Sequence, residues 1–172
     1  MLCLLTMAAL ALAACSRPAP KPAAEAPATD ALAWAYPGAG APPATGFRKT
    51  DKMGLEGVAV SHSPAEIHDR YNAVDWRPTE HPSAPAIVMH ARGRGAVACG
   101  FCHLPDGQGR PENAALAGLP AAYIVAQLAN MRTGDRQGAR PGWLPSALMT
   151  KEARSTTPAE AAAAAAYFSK LP

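Results

Sequence analysis

The chain has 172 residues, a formal net charge of +3 and only 6% aromatic residues. That length suits one domain, but the composition supplies few large apolar side chains, and a small domain so built often relies on a metal or a covalent staple for its core. Residues 16–94 hold nine Lys/Arg against eight Asp/Glu and residues 95–172 hold seven against five, so neither half is the basic block of a nucleic-acid surface.

Leu2 to Ala14 is a nearly unbroken apolar run. A membrane span needs about twenty such residues, so the run suits the core of a signal peptide instead. It ends in Leu12-Ala13-Ala14-Cys15, which resembles the lipobox of bacterial lipoproteins, cut before the cysteine so that its thiol can receive a diacylglycerol. Residues 1–14 are therefore expected to be a signal peptide and Cys15 to carry a lipid anchor. The implied address is periplasmic, at a bacterial membrane, and Ser16 in place of Asp resembles the outer-membrane form. One departure is that no Lys or Arg precedes the apolar run, although export signals usually open with positive charge. Of the four cysteines, Cys3 would leave with the signal and Cys15 would be lipidated, so Cys99 and Cys102 remain and no separate pair is left for a structural disulfide.

Residues 15–46 read as a Pro/Ala-rich disordered tether, too poor in large apolar groups to offset its ordering entropy. Residues 47–84 read as an irregular extension with one short helix. Ser63-Pro64-Ala65-Glu66 has the form of an N-cap, a first-turn proline and a capping box, and Ile67 and Tyr71 would then share a face. The stretch from Asp75 to Pro82 holds too much proline for a long element. Residues 85–172 read as the main domain. Pro85 to His90 would begin it. Ile124, Leu128 and Met131 form an apolar stripe on a central helix that opens near Pro120 and is capped by Gly134. Residues 135–156 read as a loop. Thr157, Pro158 and Glu160 open a last helix that ends near Tyr167 and Phe168. No segment alternates at period two, so the fold class is all-α. His62, His68, His81 and His90 are scattered singly and read as surface or packing residues.

Chemistry concentrates at Cys99-Gly100-Phe101-Cys102-His103, the attachment signature of c-type haem. Thiols three residues apart on one helical turn reach both vinyl groups on one side of a porphyrin, and the adjacent imidazole then lies under the ring. A zinc site needs a fourth ligand that no second pair supplies. A thioredoxin-type redox pair expects a strand-helix-strand setting, which this pattern lacks.

From about Ile87 to Leu171 the chain resembles a class I c-type cytochrome, in particular the short single-haem domains of bacteria. The resemblance rests on Cys99 to Gly109, on Leu116 to Ile124, on Gln127 to Gly134 and on Ala166-Tyr167-Phe168, in that order. It implies a small helical domain wrapped around one covalently attached haem c. His103 would be the proximal iron ligand, and Met149, in the stretch before the last helix, the distal one. The His103 ring would then be oriented through its other nitrogen by a backbone carbonyl, by position that of Pro111, with Gly109 and Arg110 as the alternatives. Tyr123, Leu128 and Tyr167 would wall the haem or the core, Met131 would sit in the core, and Arg110, Arg140 and Trp143 are candidates to meet the propionates. The implied role is that of a non-catalytic electron carrier between a redox-protein donor and acceptor. The alternatives are a haem enzyme or gas sensor with an open iron site, and a cytochrome subunit of a dehydrogenase or oxidase.

Overall fold

The computed structural model describes residues 48, 50–93, 95–140 and 142–172. The signal peptide, the Cys15 anchor and the tether fall outside the described residues. Apart from a two-residue antiparallel pairing of β1 (Met53–Gly54) with β2 (Ser61–His62), the described fold is all-α. The helices are α1 (Pro64–Ile67), α2 (Ala86–Met89), α3 (Cys99–His103), α4 (Ala121–Thr133), α5 (Leu144–Ser155) and α6 (Pro158–Phe168).

Both capping boxes form. The Ser63 side chain accepts from the Glu66 amide and Thr157 from that of Glu160, while each glutamate reaches back to its cap amide. Helix α1 stops at Ile67 after one turn, which leaves Tyr71 outside it and 44% exposed. The expected loop over 135–156 is in fact interrupted by the twelve-residue α5. Pro145 falls in its first turn, where no intrahelical amide bond is needed, and Ala, Leu, Met, Lys, Glu and Arg follow. The Ser146 and Thr150 hydroxyls bond back to the carbonyls of Trp143 and Ser146, so these polar side chains are accommodated within the helix.

Helix α4 packs on α5 and α6, and α2 packs on α3 and α6. The core is Val88, Ile124, Ala164, Ala165, Tyr167, Phe168 and Leu171. The alanines on α6 let its backbone approach α4 closely, so a core with only two aromatic rings still closes. Residues 67–91 are bound to this unit by their backbone. The Ala73 amide donates to the Met89 carbonyl (2.8 Å), Ala91 to Tyr71 (2.8 Å) and Ala98 to Arg70 (3.0 Å).

A polar node fastens the same segment to α6. Tyr167 Oη donates to the Pro105 carbonyl (2.7 Å) and so meets His81 Nδ1 (2.9 Å) only as an acceptor. His81 Nδ1 also points at the Pro82 carbonyl, and Nε2 lies 3.1 Å from Asp75 Oδ1. Every partner of the ring accepts, which is the pattern of an imidazolium. Burial disfavours that charge, but the bonds to Pro82 and Asp75 and the charges of Asp75 and Asp106 outweigh it, so the His81 pKa is raised. Burial pushes the Tyr167 phenol up to about 12, so it remains protonated. A raised folded pKa contributes stability that is complete below the unfolded value of about 6.5 and is lost as pH rises through the folded value. The thermal midpoint should therefore fall as pH rises from about 6.5 through the raised folded value in the native chain, and this fall should be smaller in His81→Gln. Differential scanning calorimetry across that range checks it; equal slopes would remove His81 from the account.

Candidate functional site

Helix α3 is a single turn, which places Cys99, Cys102 and His103 close together at one wall of a cavity of about 450 Å3. Its seating depends on Gly100. A Cβ there would lie 2.8 Å from the Val88 carbonyl and 3.0 Å from Ala73, so only glycine admits the close approach of α2. Further lining comes from α4, through Leu128 and Met131, and from α5, through Leu148 and Met149. The volume lies in the range of cofactor and ligand pockets.

The chain turns sharply after His103. Leu104 has φ 59 and ψ 150, a conformation that costs a non-glycine residue about 1–3 kcal/mol. The turn lets the loop fold back on α3, with the Gly109 amide donating to the His103 carbonyl (2.9 Å) and Arg110 to Cys102 (3.0 Å). That loop delivers the Ala114 carbonyl to His103 Nδ1 at 2.9 Å. The acceptor is thus Ala114 rather than Gly109, Arg110 or Pro111, because the loop runs further before it returns over the ring. A carbonyl acceptor requires the proton on Nδ1, which leaves Nε2 as the imidazole's remaining lone pair. Burial, opposed by the Ala114 bond, lowers the His103 pKa and favours this neutral form.

Both thiols are shifted the other way. Burial pushes Cys99 up to about 12, with the Glu152 charge adding to it. Burial also raises Cys102, partly offset by the Arg110 charge. The pair therefore presents neutral S–H groups, unlike the lowered thiol of a redox or nucleophilic cysteine. The two remain free cysteines.

Cys99, Cys102, His103 and Met149 all line the one cavity, and Met149 does so from α5 instead of from a loop. Met131, expected in the core, lines it too, as do Leu128 and Trp143. Tyr123 is 46% exposed and walls nothing, and Tyr167 belongs to the core. Arg110 is turned away, its guanidinium 4.2 Å from the Phe101 ring centroid and donating to the Ile67 carbonyl. The cavity lining passes from Ala139 to Trp143 without Arg140. The sequence reading missed Arg92 and Glu152 on the wall. They lie on separate segments with no motif between them, so no local signal marks them.

The donor set suits a covalently held haem: two un-ionised thiols on one turn, an imidazole with a bare nitrogen, and two thioethers lining the same largely apolar cavity. Among the described residues no group of three or more His, Cys, Asp or Glu is arranged to hold a metal ion by itself. Likewise no described helix is long and apolar enough to cross a membrane.

No protein-family model matches the chain. A search of curated proteins gave no match. Among solved structures, the chain is similar to thiosulfate dehydrogenase (TsdBA) from Marichromatium purpuratum in its as-isolated form. The match has 38% identity and a TM-score of 0.38, and it covers 46% of this chain and 16% of that one. The similarity is thus local, with this chain spanning less than a fifth of its neighbour's length.

The loop that carries Ala114 is sensitive at Gly109, which has φ 78 and whose Cβ would lie 2.7 Å from the Asn113 and Ala114 carbonyls. Gly109→Ala should cost about 2–4 kcal/mol, from left-handed backbone strain plus the clash. It should also displace the oxygen that holds His103. Urea unfolding of the variant beside the native chain measures this; a cost below about 0.5 kcal/mol would show that the loop yields without strain.

Proposed function

We propose that this chain is a c-type cytochrome, a non-catalytic carrier that passes one electron between a protein donor and a protein acceptor at a bacterial membrane. The observation that carries the reading is the His103 ring, pinned through Nδ1 to Ala114 at 2.9 Å beside two half-buried, un-ionised thiols at a cavity that methionine thioethers also line. Haem iron supplies one-electron chemistry between Fe(II) and Fe(III) when bound. Cys99 and Cys102 would hold the porphyrin by thioether bonds, His103 would supply the proximal nitrogen and Met149 the distal sulfur. Sulfur ligation from Met149 would favour the reduced state and would keep small molecules from the iron. The second methionine makes Met131 the competing ligand, and it stands on the helix facing α5.

The test is spectroscopic. The native holoprotein should retain its haem through denaturing electrophoresis, and its reduced spectrum should not change under carbon monoxide. Met149→Ala should keep the haem but lose the weak red band of sulfur bound to Fe(III), and it should bind carbon monoxide when reduced. Met131→Leu conserves apolar volume, so it should cost less than about 1.5 kcal/mol and leave the spectrum alone. A native protein that binds carbon monoxide would instead support an open-site haem enzyme or sensor. Loss of the red band in the Met131 variant alone would transfer the ligand to α4.

We also assign residues 1–14 to export and Cys15 to a lipid anchor, with the Pro/Ala-rich segment as tether, on the lipobox-like Leu12-Ala13-Ala14-Cys15. Cys15→Ser should release the haem-loaded protein from the membrane pellet into the soluble periplasmic fraction. A variant that still pelleted would place the attachment in residues 16–94.

A further inference from the structure

Glu152 stands on the cavity wall in the last turns of α5. Its Oε1 is buried without a hydrogen-bond partner among the described residues. Its Oε2 lies 3.7 Å from Arg92 Nη2, beyond hydrogen-bond range. Arg92 is committed elsewhere: it donates to the Ser155 carbonyl, to the Ser155 hydroxyl (2.8 Å) and to Glu160 (3.1 Å). Two carboxylates thus share one guanidinium, and an under-compensated negative charge faces the cavity beside Cys99.

Among the described residues that line this wall, the other charged groups have partners of their own or are themselves acidic. Arg136 is held by Gln127, and Glu112 is itself acidic and exposed to solvent. A buried carboxylate oxygen left without a hydrogen bond is costly to keep. Here it stands against the attachment helix, where filling the cavity would exclude water and strengthen its field.

We infer that Glu152 is a potential-setting residue, whose carboxylate stabilises the oxidised iron of a group held at Cys99, Cys102 and His103, with Arg92 as the opposing charge. The inference rests on the haem reading above. Charge near a haem acts directly on the one-electron equilibrium, and a buried charge acts far more strongly than a solvated one.

The experiment is redox titration of the holoprotein and of three variants. Glu152→Gln, nearly isosteric, should raise the ratio of reduced to oxidised protein at fixed ambient potential about tenfold, a shift of about +59 mV for one electron. Glu112→Gln makes the same formal change at an exposed site and should shift the ratio less than about threefold. Arg92→Gln should move the potential in the opposite direction, downward, because it strips Glu152 of its counter-charge. General loosening of the site would move the Glu152 and Arg92 variants the same way, so opposite signs separate charge from structure. A Glu152 shift no larger than that of Glu112 would overturn the inference, as would a shared sign. If Glu152→Gln yields no holoprotein, the Arg92 variant decides: an unchanged or raised potential overturns the proposal. Absence of covalent haem in the native chain, read by its haemochrome spectrum, would defeat the haem reading itself, a separate outcome.

Discussion

The hydrogen bond from His103 Nδ1 to the Ala114 carbonyl determines which nitrogen of the ring is available, and much of the local fold serves to make that bond. A carbonyl has no proton to give, so it selects one tautomer and one ring orientation. Bringing Ala114 to the ring requires the strained turn at Leu104, the left-handed Gly109 and the return of the loop onto α3. The strain persists because the bonds of Gly109 and Arg110 to the end of α3, and that of Tyr167 to Pro105, hold the turn from both sides.

The shortage of large side chains has a structural consequence. Helix α6 meets its neighbours through Ala161, Ala164 and Ala165, and among the described residues the core cluster's aromatic rings are those of Tyr167 and Phe168. Ile87, Leu128, Met131 and Met149 meanwhile line the cavity. A domain built this way gains burial from whatever fills that space, so binding free energy there is also folding free energy. The cavity wall is not purely apolar, and the Arg92–Glu152–Glu160 group gives it a charge that a hydrophobic pocket would lack.

The segment before α2 is tied to the same unit by polar bonds more than by apolar packing. Arg110 spans from the Phe101 ring to the Ile67 carbonyl, and His81 joins Asp75 and Pro82 to Tyr167. The boundary near residue 85, visible as a change in sequence pattern, therefore lies within a continuous hydrogen-bonded structure. Because His81 carries part of that attachment, the junction is sensitive to proton activity.

By itself the sequence determined the grouping of Cys99, Cys102 and His103 on one turn, the all-α class, both capping boxes and the place of the central and last helices. Each of these is a local relation: cysteines one turn apart, a cap and its glutamate three residues on, a stripe with helical period. It did not determine that residues 144–155 are helical, because Pro145 reads as a breaker in sequence yet is compatible with the first turn of a helix. Nor did it determine the Ala114 acceptor, the presence of Met131 beside Met149 on the cavity, or the meeting of Arg92 with Glu152 and Glu160. Those depend on how the loop after α3 closes and how α4, α5 and α6 pack. Contacts between residues some 60 positions apart are created by that packing and leave no periodic trace along the chain.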